Sequence, residues 1–113
     1  MADCIFCKIA SGEIPVKFLL QDDQAVAFPD NNPQAPKHML VVPRQHIVSL
    51  AETNSSHTPL LGHLLTTATK VAQEAGLDKG YRIVINTRAD GGQTVDHLHL
   101  HVIGGRHMNW PPG

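Results

Sequence analysis

The strongest chemical signal in the chain is the run His97-Leu98-His99-Leu100-His101, which alternates imidazole with leucine and continues into Val102-Ile103. A strand sends successive side chains to opposite faces, so this spacing predicts His97, His99 and His101 on one face and Leu98, Leu100 and Val102 on the other. A lone surface histidine is usually explained by polar pairing, but strict alternation beside a glycine-rich turn favours a site. Two chemistries suit such a face. Imidazoles can ligate a metal directly, or a neutral imidazole can attack phosphorus as a nucleophile. Histidine ordinarily titrates near pH 6.5, and crowding by like groups holds it further toward the neutral form. Asn86 and the turn Gly91-Gly92-Gln93-Thr94 precede the run and offer amide and hydroxyl donors to phosphate oxygens. A second signal is Cys4-x-x-Cys7, a spacing that brings two thiolates to one tetrahedral zinc but supplies only half a ligand set. Its plain alternative is a pair of reduced, partly buried thiols. A thioredoxin-like redox role is disfavoured because the expected βαβ pattern is missing.

The scaffold that must hold these groups reads as strands, helix, strands. Short β-type runs cover residues 17–21, 25–28 and 39–42, the last closed by Pro43, and the polar stretch 21–24 predicts a hairpin. Leu60, Leu61, Leu64, Leu65, Ala68, Val71, Ala72 and Ala75 recur at helical intervals between Thr58 and Gly76. Thr58 is the expected N-cap, Pro59 sits where a missing N–H costs nothing, and Gly76 can supply a left-handed C-terminal residue. Residues 82–86 and 98–103 read as two more strands, separated by the turn-rich segment 87–92. That order predicts an α+β domain, a helix on one face of a mainly antiparallel sheet. No repeat, low-complexity stretch or linker interrupts it, so residues 1–113 are expected to form one domain.

Composition narrows the function. Nine Lys plus Arg against ten Asp plus Glu give a net charge of −1, which disfavours nucleic acid and membrane surfaces as partners. No apolar run approaches the roughly 20 residues needed to cross a bilayer, and no signal-peptide pattern opens the chain, so a soluble, cytoplasmic protein is expected. Two cysteines are too few for the disulfide framework of a small secreted domain.

The segment Asp90-Gly91-Gly92-Gln93-Thr94-Val95-Asp96-His97-Leu98-His99-Leu100-His101-Val102 resembles the signature of the histidine triad (HIT) nucleotide-binding superfamily. The likeness spans nearly the whole chain: Ile5-Phe6-x-Lys8-Ile9, Pro33-Gln34-Ala35-Pro36-x-His38, Val42-Pro43, Gly104-Gly105-Arg106 and Trp110-Pro111-Pro112-Gly113. The tail is similar to that of the Hint branch. The resemblance implies a HIT-like α+β fold of about five mainly antiparallel strands, one long helix and a short N-terminal helix. It implies hydrolysis of purine nucleoside 5′-phosphoramidates, such as adenosine 5′-monophosphoramidate, through a nucleotidyl-histidine at His99. By the same carry-over His101 contacts phosphate and assists proton transfer, His38 supports the nucleophile, and Asn86, Gly92 and Thr94 bind phosphate. Asp30 would hold the ribose hydroxyls, where a turn-forming role in Pro29-Asp30-Asn31-Asn32-Pro33 is the plainer reading. Ile5, Phe6, Ile9 and Leu40 would form an apolar purine cleft, although residue type alone makes them ordinary core.

Some bacterial members pair such cysteines with two histidines, here His46 and His97. The resemblance therefore implies structural zinc on Cys4, Cys7, His46 and His97, supplementing a small core, with no catalytic metal required. It also implies a homodimer, with Trp110 near the partner's active site. Three positions depart from the family pattern: Asn31 where an aliphatic residue is usual, Asp96 where an aromatic is usual, and Thr94 in place of serine. Two other functions use the same residues: cleavage of dinucleoside polyphosphates, and nucleotide sensing or scaffolding with negligible turnover. His57, His63 and His107 join no constellation in the sequence.

Overall fold

The computed structural model describes residues 3–113. Alternation along the strands builds two layers of core, one on each face of a single sheet. Helix α1 is Ile5–Ala10, followed by strands β1 (Leu20–Gln21), β2 (Ala25–Pro29) and β3 (Lys37–Pro43). The long helix α2 (Thr58–Glu74) leads to β4 (Tyr81–Val84) and β5 (Leu100–Gly104). The strand order is β1-β2-β3-β5-β4, and every neighbouring pair is antiparallel. This is the α+β architecture that the order of elements and the resemblance lead one to expect.

Ala25, Ala27, Met39, Val41, Leu98, Leu100 and Val102 pack with Leu64, Ala68, Val71 and Ala72 of α2. The residues between them, Val26, Phe28, Leu40 and Val42, pack on the opposite face with Phe6, Ile9 and Ala10 of α1. Leu64, Leu98 and Leu100 are at most 1 % exposed, so truncating any one to alanine costs about 2–5 kcal/mol. The imidazoles of residues 99 and 101 are thereby driven to the α1 face by the burial of their leucine neighbours on the other. Among the described residues, no helix is long and apolar enough to cross a membrane.

Several element ends differ from the sequence expectation. Thr58 is the first helical residue and His57 takes the cap position, because the 3-10 turn Ser55–His57 runs directly into the helix. The side-chain capping falls instead to Asn54, which accepts the Ser56 N–H at 2.9 Å, while His57 Nδ1 accepts the Asn54 N–H at 3.1 Å. At the other end Gly76 has φ +77°, and the N–H groups of Gly76 and Leu77 donate to the carbonyls of Gln73 and Ala72 at 3.1 and 3.0 Å. That pair of bonds is a Schellman stop, which glycine permits. Its Leu77 fills the space beside Gly104, where an added Cβ would lie 2.7 Å from a leucine methyl. The hairpin forms, but only Leu20 and Gln21 of the expected first strand pair with β2. Strand β4 ends at Val84 rather than residue 86. The last strand begins at Leu100 rather than 98, because the Leu98 N–H bonds to the Ile47 carbonyl at 2.7 Å instead of a strand partner.

Candidate functional site

Strands β3 and β5 bring His38 and His101 together. Leu40 and Val84 lie opposite His101, and Ile103 lies opposite His38, so the two rings share the α1 face. His38 Nε2 is 2.8 Å from His101 Nδ1, and the His99 and His101 ring centroids are 5.0 Å apart. The backbone N–H of Gln34 donates to His38 Nδ1 at 3.0 Å. A neutral His38 therefore carries its proton on Nε2 and donates it to His101 Nδ1, which leaves the His101 proton on the outer nitrogen, Nε2. His99 is fixed differently. Its Nδ1–H donates to the His97 carbonyl at 2.7 Å, so its Nε2 lone pair is free.

Electrostatics keeps His99 and His101 uncharged. Burial pushes the His99 pKa down, against the opposing effects of the His97 carbonyl and the Asp30 carboxylate. His101 is pushed down to about 4, first by burial and then by its neighbours His99 and His38, with Asp30 partly offsetting them. Asp30 divides its work: Oδ1 accepts the Asn32 N–H at 2.8 Å, the turn role, while Oδ2 lies 3.4 Å from His38 Nε2. Of the residues expected in the purine cleft, Ile5 is 47 % exposed, whereas Phe6, Ile9 and Leu40 are buried in the core beneath. The Phe6 ring meets the His99 ring edge-on at 5.0 Å.

The loop before the histidines is held by the turn residues singled out in the sequence together with Arg88, Glu52 and Ser49, which sequence reasoning passed over. At Gly91 a Cβ would fall 2.4 Å from the Thr87 carbonyl oxygen, so this position, more than Gly92, forbids a side chain. Arg88 adopts φ +60° and its N–H donates to Gln93 Oε1 at 2.9 Å. Gln93 Nε2 in turn donates to the carbonyls of Val48 and Val95 at 2.6 and 3.0 Å. The Arg88 guanidinium bonds Glu52 at 2.9 Å, and Glu52 also accepts the hydroxyl of buried Ser49. Asn86 Nδ2 donates to the Gly91 carbonyl at 2.7 Å, bracing the turn that carries Gly92. Thr94 is exposed and lines an open cleft of about 540 Å³ with Asp3, Cys4, Ile5, His46 and Asp96. The Gly-Gly pair was the available signal for this loop; the glutamine clamp had none.

Below that cleft, Cys4, Cys7, His46 and His97 place their ligand atoms within 4.8 Å of one another. His97 Nδ1 is 3.2 Å from Cys4 Sγ and 3.5 Å from Cys7 Sγ, and His46 Nδ1 is 3.3 Å from Cys7 Sγ. Metal–ligand bonds of about 2.0–2.3 Å in a tetrahedron give edges of roughly 3.5 Å, so the four donors fit zinc. The tautomer fits as well. His97 Nε2–H donates to the Pro43 carbonyl at 2.8 Å, leaving Nδ1 bare toward the sulfurs. Burial and the adjacent Cys4 push the Cys7 thiol up to about 11, a charge cost that a cation between the two sulfurs would offset. Asp30, His38 and His101 also gather their ligand atoms within 4.8 Å, but this set does not fit a metal. The Gln34 N–H occupies His38 Nδ1, so Nε2 must keep its proton.

Residues 11–108 match the HIT domain family. The chain belongs to the HIT family. It is 53 % identical over 111 residues to a HIT-like protein of Synechococcus elongatus, an alignment covering 98 % of this chain and 97 % of that one. It is 50 % identical over 113 residues to the 14 kDa zinc-binding protein of Brassica juncea, covering 98 % and 100 % of the two chains. Among solved structures, a HIT family hydrolase from Legionella pneumophila superposes with TM-score 0.95 at 48 % identity, covering 98 % of this chain and 100 % of its own. A histidine triad protein from Clostridium difficile gives 0.92 at 43 %, covering 98 % of each chain. Within this HIT chain the remaining histidines serve elsewhere. His57 braces the 3-10 turn, His63 Nε2 pairs with Asp22 at 2.7 Å, and His107 lines a separate cleft with Arg82 and Arg106.

Proposed function

We propose that this HIT protein is a nucleotide-binding hydrolase that cleaves the P–N bond of purine nucleoside 5′-phosphoramidates through a covalent nucleotidyl-His99. The observation that carries the reading is the His99 Nδ1–H bond to the His97 carbonyl, which presents an uncharged Nε2 lone pair on a buried, rigid ring. In the first step the Nε2–P bond forms and the P–N bond breaks, the amine leaving with the electron pair and gaining a proton. In the second, a water oxygen attacks phosphorus, the Nε2–P bond breaks, and nucleoside monophosphate is released with the water proton passing to solvent. Splitting one displacement into two suits a site that offers a nucleophile and neutral donors.

His101, with its proton set on Nε2, donates to a phosphate oxygen or to the departing amine, and His38 holds that tautomer from behind. The Asn86 side chain, the backbone at Gly92 and the Thr94 hydroxyl bind phosphate in the same reading, and Asp30 accepts the ribose hydroxyls. Ile5 offers apolar surface to the purine, over a floor of Phe6, Ile9 and Leu40. Zinc on Cys4, Cys7, His46 and His97 ties the N-terminal segment to the sheet, a role supported by the donor geometry and the zinc-binding relative. A homodimer is part of the reading, supported by Leu65 standing 46 % exposed on α2 and by β4 forming a sheet edge. Thiols that suit zinc better than a disulfide favour a reducing, cytoplasmic setting.

The test is turnover of adenosine 5′-phosphoramidate against diadenosine polyphosphates, with His99→Ala beside the parent chain. Phosphoramidate should be the better substrate, and the variant should lose on the order of a thousandfold in kcat. Preference for the polyphosphates moves the reading to that reaction, nucleotide binding without turnover moves it to a sensor, and a fully active variant removes His99 from its role.

A further inference from the structure

His97 belongs to both histidine groups. Its ring faces the cysteines, with Nδ1 3.2 Å from Cys4 Sγ, and its backbone carbonyl accepts the His99 Nδ1–H at 2.7 Å. Phe6 provides a second link. It sits between Cys4 and Cys7 in the sequence, and its ring meets those of His97 and His99 edge-on at 5.9 and 5.0 Å. A third link runs from His46 through its neighbour Ile47, whose carbonyl accepts the N–H of Leu98, the residue between the two histidines, at 2.7 Å. Every member of the Cys/His cluster thus reaches His99 by a path of one or two residues. The paths are also tight: Phe6 is 7 % exposed, His97 0 %, Ile47 6 % and His99 4 %. His38, in contrast, is held from the loop before β3 through Gln34.

We infer that the Cys4, Cys7, His46 and His97 cluster is a positioning device for the nucleophile: closed around a cation it fixes the tautomer and aim of His99, and opened it releases them. The inference rests on the assignment of His99 above. One hydrogen bond decides which His99 nitrogen is bare, so a small shift of the 97–98 backbone puts the proton on the attacking atom. Such a change removes the reactive form without removing groups that hold the nucleotide, so the loss falls on kcat more than on KM.

The experiment compares zinc-loaded full chain with Cys7→Ser and His46→Gln, which remove one ligand each, from α1 and from the loop after β3. Bound zinc, the circular dichroism of the fold, kcat and KM on adenosine 5′-phosphoramidate, and the nitrogen-15 signature of the His99 ring are measured together. Both variants should lose zinc and keep the fold. Their kcat should drop about tenfold or more with KM within about threefold, and the His99 Nδ1–H signature should weaken. Phe6→Leu keeps all four ligands and alters one link, so it should retain zinc, lose kcat and weaken the His99 Nδ1–H signature; where a ligand variant unfolds, the parent chain stripped of zinc by a chelator decides the question. Zinc-free variants with parental kcat and an unchanged His99 signature overturn the coupling, as does Phe6→Leu with both unchanged. Activity surviving in His99→Ala overturns the nucleophile assignment instead, so the two failures are distinguishable.

Discussion

Two groups of imidazoles stand side by side, and what distinguishes His97 and His99 from His38 is the backbone partner of the ring's other nitrogen. In the Cys/His group, a backbone carbonyl takes the His97 Nε2 proton and leaves the metal-facing Nδ1 bare. In the row of His38, His101 and His99, a backbone amide takes the His38 lone pair and obliges its inner nitrogen to stay protonated. A carbonyl behind an imidazole makes a ligand or a nucleophile; an amide behind it makes a donor. Identical side chains thus acquire different chemistry from backbone atoms that almost any residue, proline excepted for the amide, could supply.

The sharpest way to break this contrast is Gln34→Pro, which deletes the amide. His38 Nδ1 is then free to take the proton, and Asp30, His38 and His101 become an acceptable ligand set. Added zinc should inhibit the variant strongly, by about tenfold or more at concentrations that leave the parent chain active, because bound metal blocks the phosphate face. Equal zinc sensitivity of the two would show that the amide does not set the difference.

A smaller effect concerns pH. The His101 pKa is lowered to about 4 by burial and by the facing His99 and His38, with Asp30 opposing them, whereas the unfolded chain titrates near 6.5. Between those values the unfolded state binds a proton that the folded state refuses, so stability declines as the pH falls from about 6.5 toward 4. Denaturant unfolding of zinc-loaded protein across that window should show a shallower decline in His101→Gln than in the parent. Parallel curves would remove the assigned burden from His101. The smallest effect is expected at a histidine outside both groups. His63→Gln removes a half-exposed pair with Asp22 and should change stability by about 0.5 kcal/mol or less, with zinc content and turnover untouched.

The sequence carried the side-chain logic of this site further than its backbone logic. The period-two alternation from His97 to Val102 is visible because burying the leucines on one face leaves the imidazoles nowhere else to point. The helix of 58–74 is equally visible from its apolar spacing, and Cys4-x-x-Cys7 announces half of a metal set. His46 and His97 complete it only through the fold, and it was resemblance rather than spacing that named them. The Gln34 amide and the Pro43 and His97 carbonyls leave no trace in residue type, although they decide each tautomer. The cap falls at His57 instead of Thr58 for a related reason: the preceding 3-10 turn has already entered helical geometry, which composition does not reveal. The partner of His63 lies on a distant hairpin, so that pairing too was invisible.

The meeting of Leu77 with Gly104 ties tolerance at one site to the shape of another. A methyl group added at 104 would collide with the leucine that seals the end of α2, so even the smallest replacement obliges the Leu77 side chain to shift from its place beside the strand bearing His101. Engineers who wish to vary the tail should therefore graft beyond residue 105 and leave this close contact as it stands.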